Sequence, residues 1–136
     1  MALWLFKTEA GDYSFSDLQK DGHVVWSGVA NPAALGHMRG TKKGDHVLIY
    51  HTGDEKRIIG LAEIAKAAYP DPKEKNEKLV VVELKPVKPV KTPVTLVQLK
   101  ADARFKDFLL VRISRLSVMP VPEPLAKILL KLTGLE

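Results

Sequence analysis

The amino-acid sequence predicts a single α+β domain built around a small curved sheet or open barrel. Its 136 residues are an ordinary length for one domain and too few for two well-buried ones. Short segments rich in β-branched residues recur along the chain, and short capped helices separate them. No repeat, linker or low-complexity segment breaks this pattern, so we expect residues 1–136 to form one domain.

The composition favours a cytoplasmic protein. Cysteine is absent, which excludes disulfides, thiolate metal sites and cysteine nucleophiles. The apolar start over residues 1–6 ends at once with Lys7, Glu9 and Asp12, so it predicts a buried strand rather than a signal peptide. Every apolar run is far shorter than the roughly 20 residues that cross a bilayer. We therefore expect a soluble protein without a membrane partner.

The first elements are predicted from strand composition and from capping residues. Leu3–Phe6 is an apolar strand. Ser14, followed three residues later by Asp17, has the pattern that caps a helix, and we expect that helix to stop near Gly22. His23–Trp26 is a second short apolar run with the composition of a strand.

A turn and a second helix follow this run. Gly28 is expected to let the chain turn tightly out of the strand. Asn31 is a capping residue and Pro32 fits the first helical turn, so a helix is predicted through Met38.

The centre of the chain predicts a hairpin. His46–His51 and Arg57–Ile64 have strand composition and are separated by a polar loop. Gly60, inside the second strand, predicts a bulge or a close approach of another group to the backbone. A charged loop is expected to start at Tyr69–Pro72.

The last third is predicted from a strand, prolines and two helix signals. Leu79–Leu84 is β-branched, and prolines at positions 86, 89 and 93 punctuate the segment that follows. Thr95–Gln98 matches a capping box. Residues 113–121 are expected to be extended. After Pro122–Pro124, a final helix is predicted from an apolar stripe with helical spacing, which comprises Leu125, Ile128, Leu129 and Leu132.

Positive charge is concentrated in one part of the chain. The net charge is +5, and residues 56–100 alone contain ten Lys or Arg against five acids. A local basic surplus is typical of a surface that binds polyanions. Lysines that solvate exposed strand edges and a loop would give the same pattern, so charge alone leaves both interpretations open.

Motifs for catalysis, phosphate loops and metal binding are missing from the sequence. It contains no GxGxxG, no GxxxxGK[ST], no HExxH and no nucleophile elbow. His46 and His51 lie five apart on one predicted strand, so they face opposite sides and cannot share a metal ion. The fold could still assemble a catalytic pair from His51 with Asp54 or Glu55, but a solvated hairpin end is the preferred interpretation of this loop. We expect no metal, no cofactor and no catalytic residue.

Polar and aromatic side chains cluster where predicted strands end. Lys7-Thr8 ends the first strand, Trp26-Ser27-Gly28 the second and Tyr50-His51-Thr52 the third, while Ser114–Ser117 lies in an apolar late segment. A tryptophan stacks on planar ligands, and neighbouring hydroxyl groups bind polar edges. A core position for Trp26 remains the alternative, because most tryptophans are buried by packing.

These segments closely resemble the EVE domain family, which belongs to the PUA-like superfamily and is related to the YTH domains that read methylated adenine in RNA. The matching elements occur in order along nearly the whole chain. They are residues 4–9, Tyr13-Ser14, Asp17-Leu18, Val25-Trp26, Gly28-Val29, Asn31, Met38-Arg39, 43–45, Tyr50-His51, 60–63, 68–72, Pro93-Val94, Leu96, Leu99-Lys100, 115–118 and Pro120-Val121.

The resemblance implies a PUA-like twisted, mixed β-barrel of five or six strands flanked by short helices. It also implies a pocket at one end of the barrel that accepts a flipped-out, modified base. The chain departs from the usual family sequence at four positions, where Ser27 replaces an acid and Ala30, Ala33 and Leu35 replace Arg, Gln and Arg.

We therefore expect a non-enzymatic, monomeric module that binds DNA or RNA carrying a modified, methylated base. Trp26 would stack on the base, with Tyr50 or Tyr69 as further walls. Arg39 and Arg115 would contact phosphate or brace the pocket. The hydrogen-bonding groups for the base would come from Lys7, Thr8, Ser27, Asn31, His51, Thr52 and Ser117.

Two alternatives remain open at this point. One is a small enzyme acting on nucleic acids or nucleotides, as in ASCH-like relatives, with His51 as its base. The other is a protein-interaction subunit with a vestigial pocket.

Overall fold

The computed structural model describes residues 2–136, which form one mixed sheet and a set of short helices. The strands are β1 (Leu3–Thr8), β2 (Val24–Trp26), β3 (His46–His51), β4 (Arg57–Pro70), β5 (Val80–Thr95) and β6 (Val118–Val121). The α-helices are α1 (Phe15–Asp21), α2 (Pro32–Arg39), α3 (Leu96–Lys100), α4 (Leu109–Arg112) and α5 (Glu123–Leu132), with a 3-10 turn at Ala103–Phe105.

The six strands follow the order β2-β5-β4-β3-β1-β6. β1 runs parallel to β3, and the other neighbouring pairs are antiparallel. The predicted α+β class and mixed six-stranded sheet are confirmed. The sheet is not closed, because β2 and β6 are its two edges, so the word barrel describes it only loosely.

The sheet nevertheless curls until distant strands touch. Trp26 of β2 and Phe6 of β1 lie four positions apart in the strand order, yet their ring centroids are 5.8 Å apart. Both side chains belong to the buried core. The curl therefore brings the β2 edge beside the end of β1.

Side-chain caps start the predicted helices. Ser14 accepts a hydrogen bond from the Asp17 amide, and the Asp17 carboxylate accepts one from the Ser14 amide. Asn31 accepts one from the amide of Ala34, three residues further on. The α3 capping box at Thr95 is also confirmed. These local bonds satisfy amides that a helix leaves unpaired in its first turn.

Prolines do not end β5, contrary to the expectation that they would interrupt the strand pattern. The strand continues from Val80 to Thr95 through Pro86, Pro89 and Pro93. Its pairing with β4 shifts register at four places, and such irregularities accommodate residues without an amide hydrogen. β4 likewise extends to Pro70, beyond the predicted Ile64.

The extended segment predicted over residues 113–121 is also shorter than expected. Only Val118–Val121 forms β6, while the preceding segment is a connector that follows α4. The Leu116 amide bonds to the Ile113 carbonyl, so this connector turns instead of extending.

Both glycine predictions are confirmed. Gly28 has a φ of 78°, a left-handed conformation that other residues rarely adopt. At Gly60 the pairing with β3 and β5 shifts register, and a Cβ atom would overlap the Phe15 ring. Phe15, which starts α1, is only 2% exposed, so the missing side chain makes room for this helix against the sheet.

A buried carboxylate ties β1 to the turn before β3. Asp45 is 5% exposed and accepts hydrogen bonds from Trp4 Nε1 at 3.0 Å and from the Lys42 and Ala2 amides at 2.9 and 3.2 Å. Burial alone would raise the pKa of Asp45, but these hydrogen bonds outweigh it and hold the pKa below its usual value.

Replacing Gly60 by Ala should destabilise the fold by about 1–3 kcal/mol, because the new methyl group overpacks against Phe15. Gly36→Ala is the matched control, since nothing lies within 4 Å of the added Cβ on helix α2 and alanine favours helices. Urea unfolding of both variants measures the difference. Equal stability of the two would contradict the close approach at Gly60.

Replacing Asp45 by Asn should lower stability by about 1–3 kcal/mol at neutral pH, because one acceptor oxygen is lost from a buried network. The folded-state pKa lies below the unfolded value of about 3.9, so the carboxylate's contribution is complete above that pH and is lost as the pH falls through the folded pKa. The free-energy difference between wild type and variant should therefore shrink on acidification. A difference that stays constant down to pH 2 would refute this role.

Candidate functional site

A cavity of about 390 Å³ opens where the curl brings β1, β2 and the connector before β6 together. We call it the Trp26 cavity. It is lined by Lys7, Thr8, Tyr13, Val24, Val25, Trp26, Ser27, Gly28, Val29 and Ser117. Its volume is typical of a small-molecule site, and it combines aromatic, aliphatic and hydroxyl groups.

Trp26 is both a core residue and part of the cavity wall. The side chain is 9% exposed, with Phe6 tilted against it at 55°. The Tyr13 ring meets it edge-on, with centroids 6.3 Å apart. The tryptophan therefore packs in the core and also lines the cavity, and its stacking on a base stays a prediction.

Tyr13 is fixed by a carboxylate. Its hydroxyl donates to Asp21 Oδ2 at 2.8 Å. Burial first, and then the hydrogen bond and negative charge of Asp21, raise the pKa of Tyr13 to about 12. The phenol therefore stays neutral, and its ring stands nearly perpendicular to that of Trp26, at 81°.

Two hydroxyl groups of the cavity are available to a ligand. Among residues 2–136, the structure shows no hydrogen-bond partner for the side chains of Ser27 and Ser117. Each therefore offers a donor and an acceptor. Thr8 is different, because its Oγ1 already donates to the Tyr13 carbonyl at 2.7 Å and keeps only acceptor capacity.

Lys7 is the single ionisable cation of the described cavity wall. Its Nζ donates to the Ser114 carbonyl at 3.0 Å and lies 5.8 Å from the Tyr50 ring centroid. Burial lowers the pKa of Lys7. Its amide also donates to the Ser117 carbonyl, so this residue holds the connector at two points.

His51 does not line the cavity, contrary to prediction. It is 5% exposed and hydrogen-bonded at both ring nitrogens. Nε2 accepts from the Phe15 amide at 3.0 Å, which leaves the proton on Nδ1 facing Glu55 Oε1 at 3.1 Å. This hydrogen bond, reinforced by Arg57, holds the pKa of Glu55 below its usual value. His51 is thus a packing residue that supports α1.

Asn31 and Tyr69 also lie outside the cavity, because both side chains are engaged elsewhere. Asn31 caps α2. The Tyr69 hydroxyl donates to Glu83 Oε2 at 2.5 Å, which raises the pKa of Tyr69 to about 12, with burial contributing further. Glu83 also contacts His23 Nε2 at 2.7 Å, so this cluster ties β2, β4 and β5 together.

Tyr50 and Thr52 line a different cavity next to the first. This second cavity has a volume of about 230 Å³ and shares Lys7 with the Trp26 cavity. The prediction that these two residues wall one base pocket with Trp26 is therefore corrected, because they lie beyond Lys7. The second cavity is lined by Lys7, Tyr50, Thr52, Gly53, Lys56, Leu96, Lys100, Leu110, Val111 and Ser114.

The two predicted arginines differ in their surroundings. Arg39 Nη2 donates to the Lys78 carbonyl at 2.6 Å and so braces the charged loop before β5. Arg115 is exposed on the connector between the two cavities, and among the described residues it has no ion pair. Arg115 remains available to an anionic ligand.

Sequence reasoning missed Tyr13, Val24, Val25 and Val29 as cavity residues. Tyr13 directly precedes the Ser14 cap, a position where hydrophobic residues commonly pack against the structure near a helix start. That position was a usable signal for Tyr13. The valines gave no such signal, since their place depends on the curl.

Neither a metal cluster nor a membrane span is found in the described part of the chain. Over residues 2–136, no group of three His, Asp or Glu side chains is arranged to hold a metal ion. No helix there is long and apolar enough to cross a bilayer.

Known proteins share this architecture. A protein of Rhodopseudomonas palustris solved by NMR is 42% identical, with a TM-score of 0.93 and coverage of 99% of this chain and 94% of that one. An ASCH protein of Zymomonas mobilis is 15% identical, with a TM-score of 0.64 over 97% and 96% of the two chains, and thus shares the fold alone.

A human protein is a further relative. Thymocyte nuclear protein 1 (THYN1) of Homo sapiens is 29% identical over 154 aligned residues, covering 88% of this chain and 68% of the human one. Human THYN1 in complex with DNA containing 5-methylcytosine matches with a TM-score of 0.90 and 27% identity, over 100% of this chain and 99% of that one. The EVE domain model matches residues 2–132, and this chain therefore belongs to the EVE domain family.

Proposed function

We propose that this domain binds nucleic acid and holds one flipped-out, modified base in the Trp26 cavity. The observation that carries the proposal is the cavity itself, where an aromatic wall and two serine hydroxyls surround about 390 Å³, and neither hydroxyl has a partner among the described residues. The complex of the human relative THYN1 with DNA containing 5-methylcytosine supports it.

The cavity wall fits the chemistry of a methylated base. A base is flat and polarisable, and stacking on an aromatic side chain contributes about 1–3 kcal/mol. Ser27 and Ser117 offer hydrogen bonds to its polar edge, while Val24 and Val29 offer apolar contact to a methyl group. Extruding a base from a duplex costs a few kcal/mol, so stacking, hydrogen bonds and phosphate contacts must act together.

Positive charge lies where the nucleic-acid backbone would pass. Lys7 lines the cavity, and Arg115 is exposed two residues before Ser117. Phosphate contacts by such groups give affinity that is independent of sequence and sensitive to salt. Base selection would therefore come from the cavity, and much of the affinity from its surroundings.

Binding without turnover is favoured over catalysis by the position of His51. Both of its ring nitrogens are engaged by Phe15 and Glu55, and it does not line the Trp26 cavity. A general base must reach the proton it removes. The described cavity wall contains no histidine or carboxylate to take that role.

Replacing Trp26 tests the stacking role. Trp26→Ala should weaken binding of an oligonucleotide containing 5-methylcytosine by about 5- to 150-fold, the equivalent of about 1–3 kcal/mol of stacking. Trp26→Phe should lose part of this affinity, because a smaller ring still stacks. Binding is measured by calorimetry, with far-UV circular dichroism confirming that each variant is folded.

The alanine variant also removes a core side chain, which costs about 3–5 kcal/mol of stability. Phe108→Leu is therefore the control, because Phe108 is 1% exposed and does not line the cavity. If the control weakened binding as much as Trp26→Phe, reduced stability rather than stacking would be the cause.

Replacing Ser117 by Ala should weaken binding of the same oligonucleotide by about 2- to 12-fold, since one hydrogen bond of about 0.5–1.5 kcal/mol is lost. Ser16→Ala on the exposed face of α1 is the matched control. Fluorescence anisotropy of a labelled oligonucleotide measures both. Unchanged affinity of the Ser117 variant would remove this hydroxyl from base recognition.

A further inference from the structure

We propose that the second cavity, beside the Trp26 cavity, binds the sugar-phosphate of the nucleotide adjacent to the captured base. This inference rests on the proposed function, because it extends the path of the same strand. The ligand chemistry is a phosphodiester, and the residues that would bind it are Lys56, Lys100, Tyr50 and Ser114.

The two cavities are joined through Lys7. This residue lines both of them and is hydrogen-bonded to both ends of the segment that separates them. Its amide donates to the Ser117 carbonyl at 2.8 Å, and its Nζ donates to the Ser114 carbonyl at 3.0 Å. Ser117 borders the first cavity and Ser114 the second, with Arg115 exposed between them. A strand leaving the Trp26 cavity across Arg115 would thus arrive at the second cavity.

The charge of the second cavity suits an anion. Lys7, Lys56 and Lys100 line it, and no carboxylate does so in the described structure. Lys56 and Lys100 form no ion pair with any described residue. Glu9 lies at the rim, where its Oε2 accepts from the Thr52 hydroxyl at 3.3 Å. Glu55, the residue before Lys56, is engaged by His51 and Arg57. The wall itself therefore carries three lysines and, among the described residues, no carboxylate.

The backbone holds the two lysines in place. Lys56 has a φ of 45°, a left-handed conformation that is uncommon outside glycine, and its carbonyl accepts from the Leu96 amide at 2.8 Å. Leu96 and Lys100 begin and end α3, four residues apart, so they share one helix face and both line the cavity. Backbone held in a costly conformation is common at ligand sites.

The rest of the wall suits a nucleotide rather than a free inorganic ion. Leu96, Leu110 and Val111 give an apolar surface on which a deoxyribose can pack. Burial raises the pKa of Tyr50, so its hydroxyl stays protonated and can donate to a phosphate oxygen. No described residue accepts a hydrogen bond from that hydroxyl.

A third cavity, which is also lined by basic residues, provides a contrast. Arg104, Lys127 and Lys131 line a cavity near the end of α5. Its wall includes Glu136, and Arg104 is paired with Asp102 at 2.7 Å. It shares no lining residue with the Trp26 cavity, so it is not on the path of a strand bound there.

The test compares a nucleoside with a strand. Wild type and the double variant Lys56→Asn/Lys100→Gln are titrated with 5-methyl-2′-deoxycytidine and with a single-stranded heptanucleotide carrying one central 5-methylcytosine, between 50 and 200 mM salt. Asparagine is chosen at position 56 because it tolerates the left-handed backbone. Lys88→Gln, on the exposed part of β5 and outside both cavities, is the control for the loss of one surface lysine.

The double variant should lose heptanucleotide affinity relative to nucleoside affinity. The slope of log K against log salt should become shallower by about 1.4, which corresponds to two phosphate contacts of a single strand. Lys88→Gln should leave the slope close to that of wild type. In an NMR titration, the Ser114 and Leu96 amides should shift with the heptanucleotide and not with the nucleoside.

The other outcomes separate this inference from the proposed function. The phosphate site is overturned if the slope of log K against log salt is unchanged in the double variant, or if it changes equally in Lys88→Gln. Neither result contradicts base capture. A further outcome is that the heptanucleotide binds through the lysines, the nucleoside does not bind and Trp26→Phe has no effect. That result supports the phosphate site and overturns base capture. Wild-type protein that binds neither probe overturns both.

Discussion

The contact between Trp26 and Phe6 is the constraint on which the rest of this structure depends. The two rings sit on strands four positions apart in the sheet, and their packing at 5.8 Å requires the sheet to curl. The curl brings the β2 edge to the end of β1 and to the connector before β6. The Trp26 cavity lies at that junction, so this aromatic contact fastens the curl of the sheet at the place where the cavity opens.

Under the proposed function, this arrangement would couple stability to binding. Trp26 is 9% exposed, so nearly all of its surface stabilises the fold, and only a small part is left for a ligand. Lys7 has a similar double role, since it holds the connector at Ser114 and Ser117 while lining both cavities. A wall built from such residues is preorganised, and a preorganised site loses less conformational entropy on binding.

Local chemistry decides which features the sequence could predict. The caps at Ser14, Asn31 and Thr95 depend on residues within one turn, and all three were predicted. The tight turn at Gly28 and the close approach at Gly60 were also predicted, because a glycine at the end of a strand or inside one is typical of these two features. The course of β5 through its prolines and the turn after α4 depend on pairing with distant segments, and their prediction was wrong.

The set of residues that line the Trp26 cavity was predicted in part for the same reason. Lys7, Thr8, Trp26, Ser27 and Ser117 line one cavity, as the strand-end argument required. Asn31, His51 and Tyr69 were assigned to it as well, but each has a hydrogen-bond partner elsewhere in the fold. The sequence shows that a side chain is polar, but it does not show which group will form a hydrogen bond with it in the fold.

The departure at Ser27 changes the electrostatics of the cavity. The family resemblance implies an acid at this position, whereas Ser27 is neutral and its hydroxyl has no partner in the described structure. With no carboxylate in the described wall, Lys7 sets a positive potential there. A carboxylate only accepts hydrogen bonds, while a hydroxyl both donates and accepts. Under the proposed function, Ser27 would therefore widen the range of base edges that this cavity can satisfy, and it would remove the repulsion that an acid would exert on an approaching phosphate strand.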